Sequence, residues 1–108
     1  MPGNNFEKQN WFKLSLPEQL GNIGSEVARA LRWREKNARP HFEKATERAL
    51  ELFCLTLSDS RWRDRAKEIA RAREVTADFF YGDNQYNCDA TRLNRYFMQF
   101  ALAARLHK

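Results

Sequence analysis

The stretch that most constrains this fold runs from Ser15 to Arg34 and reads SLPEQLGNIGSEVARALRWR. Ser15 and Glu18 have the spacing of a capping box, in which each residue's side chain accepts a hydrogen bond from the other's backbone amide. Apolar side chains then recur at steps of three and four residues, which places them on one helical face. These are Leu16, Leu20, Ile23, Val27 and Leu31. The sequence therefore predicts an amphipathic helix that begins at Ser15 and needs other helices to cover its apolar face.

Gly21 and Gly24 lie on a neighbouring strip of the same helix. A glycine in a helix interior costs roughly 1 kcal/mol relative to alanine, so some other interaction must compensate. We expect a second helix or an aromatic ring to pack closely against this bare backbone. The alternative is a polar recognition strip beside the glycines, formed by Asn22, Ser25 and Arg29.

Three further helices are predicted from apolar periodicity and capping residues. The first begins near position 37 or 38, because Pro40 is tolerated only in the first turn of a helix. The next spans 61–81 and ends at Gly82, which we expect to be a left-handed cap. The last begins between 87 and 89 and continues toward the end of the chain.

Helices joined by short connections predict an all-α fold, an antiparallel up-and-down four-helix bundle. Residues 15–108 would form this single domain. Residues 1–14 lack a periodic pattern and are expected to form a flexible N-terminal arm. Phe6, Trp11 and Phe12 in the arm are expected to fold back over the end of the bundle, and the alternative is that they dock to a partner.

Basic residues outnumber acidic ones, with 19 Lys and Arg against 14 Asp and Glu and a net charge of +5. This balance permits an acidic partner, nucleic acid first among them. The candidate phosphate contacts are a ladder on the 61–81 helix and one residue of the first helix, namely Arg63, Lys67, Arg71 and Arg29. Carboxylates flank the ladder and weaken the field that a phosphate would feel. The favoured interpretation of the ladder is therefore a solvated face of mixed charge, and phosphate contact is the alternative.

On a helical wheel Arg73 falls among Trp62, Ile69, Thr76 and Phe80, inside the apolar stripe of the 61–81 helix. An unpaired charge at such a position would be costly. We therefore expect a buried ion pair, with Glu26 on the margin of the first helix as its partner. The alternative is a functional arginine in a cleft, in a small-ligand or enzymatic pocket formed around Arg73 and the Tyr81–Tyr86 loop.

The last predicted helix is apolar on two faces. Leu93 and Phe97 belong to the face that would point into the bundle, whereas Met98, Leu102 and Leu106 repeat at four-residue steps on much the opposite side. An apolar stripe that the bundle does not cover is typical of an interface. The second face therefore predicts a self-associating protein, a homo-oligomer.

Few residues are arranged for catalysis. His41 and His107 lack partners at metal-ligand spacing, and GNIGSE lacks the lysine of a phosphate-binding loop. We expect no enzymatic activity, no catalytic residue, no metal and no cofactor, and the pattern names no small-molecule ligand. The role that remains is a helical interaction module.

The expected location is the cytoplasm. Cys54 and Cys88 are isolated and no secretory signal precedes them, so reduced thiols are expected. No segment approaches the roughly 20 apolar residues that a membrane span needs. We therefore expect no membrane partner.

Gln19 to Glu26, QLGNIGSE, resembles a bacterial four-helix-bundle family encoded in intervening sequences of large-subunit ribosomal RNA genes. That family includes accessory proteins of diversity-generating retroelements, and its signature contains an Asn-Ile-Ala-Glu-Gly run. Asn22 and Ile23 match this run, and Gly24 stands in place of its alanine. The resemblance implies a basic, oligomeric bundle that binds nucleic acid or a reverse transcriptase.

Overall fold

A computed structural model describes the backbone of residues 4–106 and the side chains of residues 8–106. Within this range the chain forms five α-helices and one short 3₁₀ helix. Their bounds are α1 Asn4–Trp11, α2 Leu16–Glu35, α3 Arg39–Leu57, the 3₁₀ helix Ser60–Arg65, α4 Ala66–Tyr81 and α5 Ala90–Leu106. The predicted all-α bundle is confirmed, whereas the antiparallel up-and-down order of four helices stays a prediction. None of the described helices is both long and apolar enough to cross a lipid bilayer.

Helix α2 begins where the capping box predicts. The Glu18 amide donates to Ser15 Oγ over 3.3 Å, and the Ser15 amide donates to Glu18 Oε1 over 3.0 Å. The apolar face of α2 is buried, and Ile23 and Val27 on it are completely shielded from solvent. Both α3 and α5 pack along α2, so α2 is the central helix of the bundle.

The two glycines of α2 lie where α5 crosses it. A Cβ atom placed on Gly24 would lie 2.5 Å from Phe97 Cβ, and one placed on Gly21 would lie 3.3 Å from Ala101 Cα. The expected close packing of a second helix against this strip is confirmed. The missing side chains allow α5 to approach the α2 backbone, which compensates for the poor helix propensity of glycine.

The segment 61–81 is not one continuous helix. Asp59 caps a 3₁₀ helix by accepting a hydrogen bond from the Arg61 amide over 3.1 Å. Trp62 then has a non-helical backbone conformation, with φ −104° and ψ 21°. Helix α4 begins only at Ala66. Trp62 therefore does not share the helical phase of α4.

This break corrects the prediction for Arg73. The buried residues of α4 are Ile69, Ala72, Thr76 and Phe80. Without Trp62, the centre of this stripe moves toward Ala72 and leaves Arg73 at the margin, where it is exposed. Glu26 instead pairs with Arg29 of its own helix over 2.5 Å. The predicted buried ion pair between Arg73 and Glu26 is therefore wrong.

The N-terminal arm contains a helix, α1, where a flexible segment was expected. Trp11 at its end folds back as predicted: it is buried, and its Nε1 donates to Thr56 Oγ1 over 3.0 Å. Phe12 stays exposed. The side chain of Phe6 lies outside the described residues, as does His107.

In the connection from α4 to α5, the left-handed backbone conformations occur at Asn84 and Asn87 and not at Gly82. Gly82 has an extended backbone conformation, with φ −98°, so the predicted left-handed cap is wrong. Asn84 and Asn87 have positive φ values of 54° and 51°. The Asn84 side chain also accepts from the Cys88 amide over 3.0 Å and donates to the Cys88 carbonyl over 2.9 Å. Asparagine tolerates this backbone region because its short side chain can bond the local backbone.

Replacing Gly24 by alanine is expected to destabilise the fold by about 2 kcal/mol more than replacing Gly21 by alanine. Both changes gain a similar helix propensity, roughly 1 kcal/mol. Only the new Cβ at Gly24 would come within 2.5 Å of Phe97, whereas the one at Gly21 needs a small adjustment. Urea unfolding of the two variants measures the difference, and equal stabilities would contradict the close crossing.

Candidate interaction surfaces

Segments from α1 to the 3₁₀ helix meet in a buried polar cluster around Gln19. The Gln19 side chain is fully buried. Its Nε2 donates to the Trp11 carbonyl over 2.9 Å and to Asp59 Oδ2 over 3.3 Å. Its Oε1 accepts from Trp62 Nε1 over 2.9 Å. A buried amide stabilises a fold only when its hydrogen bonds are made, and here both ends of the amide are engaged.

Arg61 completes this cluster from the solvent side. Its Nη2 lies 2.7 Å from Asp59 Oδ2 and 2.8 Å from the Leu14 carbonyl oxygen. Its guanidinium carbon lies 4.4 Å from the ring centroid of Trp62. The hydrogen bonds from the Arg61 side chain, together with those from its amide and from Gln19, hold the pKa of Asp59 below its usual value. The cluster is therefore a structural tie between the start of α2 and the 3₁₀ helix.

Every buried side-chain nitrogen or oxygen among the described residues has a hydrogen-bond partner. In the same part of the chain, no three His, Cys, Asp or Glu side chains converge as metal ligands. The interior polar groups described here are thus engaged with one another.

The four predicted phosphate contacts fall on different parts of the bundle. Arg63, Lys67 and Arg71 are exposed on the 3₁₀ helix and α4. Arg71 also lines a cavity between α4 and α5. Arg29 instead lines a groove between α2 and α3 and pairs there with Glu26. Arg29 therefore lines the α2–α3 groove, and Arg71 lines the separate α4–α5 cavity.

The groove between α2 and α3 is a basic site that sequence reasoning missed. It has a volume of about 370 Å³. The side chains that give it its charge and aromatic character are Glu26, Arg29, Trp33, His41, Lys44 and Arg48. The rings of Trp33 and His41 meet with centroids 4.5 Å apart and an interplanar angle of 57°. These residues are separated along the chain, and the only sequence signal was the aromatic pair on either side of the turn between the two helices.

The predicted interface stripe on α5 is exposed. Met98, Leu102 and Leu106 are 56%, 49% and 80% exposed. Phe97 on the inner side of the same helix is buried and packs toward Phe53 of α3, with ring centroids 6.0 Å apart. The helix is therefore apolar on a covered side and on an uncovered side. That the uncovered side contacts another molecule stays a prediction.

The alternative prediction placed a pocket around Arg73 and the Tyr81–Tyr86 loop, and Tyr81 does line a cavity of about 470 Å³ beside α2 and α3. A cavity of about 300 Å³ lies between α4 and α5, and it is lined by Arg71. The neighbouring loop is closed onto α4, because the Tyr86 amide donates to Asp78 Oδ2 over 3.2 Å and its hydroxyl donates to Glu74 Oε2 over 3.0 Å. Side chains of α4 thus hold Tyr86 in place.

The chain matches no protein-family model, no curated protein and no solved structure. Its resemblance to the ribosomal intervening-sequence family stays a prediction. A proposal for the function of this chain therefore depends on its own surfaces.

Asp59→Asn is expected to reduce the acid sensitivity of the fold. Because the folded-state pKa of Asp59 is lowered, its carboxylate stabilises the fold above the unfolded-state pKa, and this contribution is lost as the pH falls through the folded-state pKa. Between about pH 5 and pH 2 the wild type should therefore lose more stability than the variant. Urea unfolding at several pH values measures this, with the exposed Asp83→Asn as a matched control. An identical acid dependence in wild type and Asp59→Asn would contradict the importance of the Asp59–Arg61 pair.

Proposed function

We propose that the protein is a non-enzymatic helical interaction module that self-associates through the outer face of α5. The observation that carries this proposal is the exposure of Met98, Leu102 and Leu106, at 56%, 49% and 80%. At four-residue spacing they form a line along about 12 Å of the helix. Burial of a large apolar side chain contributes about 1.5–3 kcal/mol, so covering this line favours association.

A second copy of the chain is the partner that this line fits most simply. In a two-fold symmetric pair each residue meets its equivalent or a symmetric counterpart. With two α5 helices antiparallel, Leu102 would meet Leu102 of the second copy at the centre. Met98 would then meet Leu106 at both ends. A single substitution at Leu102 would therefore act twice in the dimer.

The engagement of the interior polar groups supports a non-enzymatic role. Catalysis needs convergent groups aimed at a substrate. In the Gln19 cluster the amide donates to the Asp59 carboxylate and accepts from the Trp62 ring nitrogen. Arg73, the arginine of the enzymatic alternative, is exposed.

Contact with single-stranded nucleic acid is the second function that we propose. In the α2–α3 groove Arg29, Lys44 and Arg48 accompany the carboxylate of Glu26, and Arg48 also pairs with Glu51 over 3.4 Å. The rings of Trp33 and His41 lie in the same groove. Cations that follow a backbone and aromatic rings that stack on bases are the two components of single-strand binding. Unpaired bases are required because stacked duplex bases do not offer their faces.

We expect the ladder of Arg63, Lys67 and Arg71 to attract phosphate less strongly than the α2–α3 groove does. Asp64 and Glu68 lie between its cations in the sequence, and nearby carboxylates reduce the attraction of a phosphate.

The segment from Gln19 to Glu26 resembles the ribosomal intervening-sequence family. This resemblance implies the same two properties that we propose, oligomerisation and nucleic-acid binding.

Leu102→Lys is expected to abolish self-association. A dissociation constant of about 1 μM would make the wild type mostly oligomeric at tens of micromolar, and the variant should sediment as a monomer because two ammonium groups would meet at the centre of the interface. Sedimentation velocity measures both. Cys54→Lys adds the same charge at an exposed position of α3, away from the outer face of α5, and should leave association intact. A wild type that is only monomeric at this concentration, or a Leu102→Lys variant that stays associated, would contradict the proposal.

Arg29→Gln combined with Lys44→Gln is expected to weaken binding of a single-stranded oligonucleotide and to reduce its salt dependence. Each lost phosphate contact should lower the slope of log K against log salt by about 0.7. Fluorescence anisotropy between about 50 and 200 mM salt measures this slope. Arg63→Gln combined with Lys67→Gln removes the same charge from the ladder and should have the smaller effect. An equal effect would reject the groove as the site, and a flat salt response in the wild type would rule out phosphate contacts.

A further inference from the structure

The cavity between α4 and α5 exists because these helices rest on different partners. Helix α4 packs on α3, whereas α5 packs on α2. Between α4 and α5 lies a cavity of about 300 Å³, a volume at the lower end of the range for small-molecule sites. The cavity is therefore the size of a small ligand and not of a peptide or a helix.

The walls of this cavity are almost wholly apolar. Ala72 of α4 and Leu93 of α5 are both buried and belong to its inner part. Val75 and Tyr96 are half-buried and complete the walls. Apolar walls that stand open to solvent favour a ligand with an apolar body, because its entry removes both surfaces from water.

The charged groups at this cavity favour an anion. Arg71 from α4 and Arg92 from α5 both line it. Arg92 has only a weak local partner, since its Nε lies 3.9 Å from Asp89 Oδ2 and its side chain is 71% exposed. Arg71 rests on the ring of Tyr86, 5.5 Å from its centroid. Guanidinium groups so placed can turn toward a carboxylate, which they bind with two parallel hydrogen bonds.

One carboxylate also lines the cavity, but its charge is already compensated. Glu68 Oε2 accepts a hydrogen bond from Arg65 Nε over 2.8 Å, and this bond lowers the pKa of Glu68. Burial raises the pKa of the Tyr96 hydroxyl, so this side chain adds no negative charge near neutral pH. Arg71 and Arg92 are therefore the groups of the lining that an anion would engage.

We propose that the cavity between α4 and α5 binds a small monocarboxylate with an apolar body. The body lies against Ala72, Val75 and Leu93, and the carboxylate group lies between Arg71 and Arg92. This site is separate from the association surface on α5, because Met98, Leu102 and Leu106 do not line the cavity. The proposed ligand site and the proposed association surface therefore use different residues of α5.

Titration of the ¹⁵N-labelled full chain with octanoate and with 1-octanol tests the proposal by NMR. Octanoate should bind about tenfold more tightly than 1-octanol, because only the carboxylate engages the arginines. The largest shift changes should fall at Ala72, Val75, Leu93 and Tyr96. Equal affinities, or shift changes confined to Met98, Leu102 and Leu106, would overturn the proposal.

Arg71→Gln combined with Arg92→Gln should lower the affinity for octanoate about tenfold and leave that for 1-octanol unchanged. Arg63→Gln combined with Arg95→Gln removes two exposed arginines outside the cavity lining and should change neither. Val75→Phe should fill the cavity and abolish both interactions. The arginine variants change exposed side chains and are expected to fold. They therefore test the proposed site even if the Val75→Phe variant does not fold. An octanoate affinity that is unchanged in the Arg71/Arg92 variant would overturn the site.

Discussion

The close crossing of α5 over α2 at Gly24 determines how the rest of the bundle is arranged. A side chain at this position would occupy the space of Phe97 Cβ, which lies 2.5 Å from the place of the missing methyl group. Because Phe97 can sit there, it reaches the core and packs toward Phe53 of α3. The inner face of α5 thus packs against α2 and α3. Two consequences follow: the stripe through Leu102 faces solvent, and a cavity opens between α5 and α4.

A second constraint acts at the start of α2. There the buried Gln19 amide connects Trp11 of α1 with Asp59 and with Trp62 of the 3₁₀ helix. A polar group with no access to water needs all of these partners, so α1 and the 3₁₀ helix are fixed relative to α2. Trp62, whose ring nitrogen donates to Gln19, is also the residue at which the helix is interrupted.

The proposed functions use three different parts of one small bundle. Self-association uses the apolar stripe of α5, nucleic-acid contact uses the basic groove between α2 and α3, and carboxylate binding uses the cavity between α4 and α5. Arg71 is a member of the ladder predicted to contact nucleic acid, but the structure places it in the lining of the cavity. Two of the predicted phosphate contacts, Arg29 and Arg71, are therefore divided between two sites.

The sequence by itself determined the features that depend on one helix alone. The capping box at Ser15, the glycine strip that needs a close neighbour and the exposed stripe through Leu102 follow from local spacing, which sets the face of a side chain on its own helix. Only the tertiary structure decided which faces meet. It placed Arg73 in solvent and brought Lys44 of α3 beside Arg29 of α2. The physical reason is that the phase of one helix relative to the next depends on the conformation of the connection between them, and the break at Trp62 changed that phase without interrupting the apolar pattern.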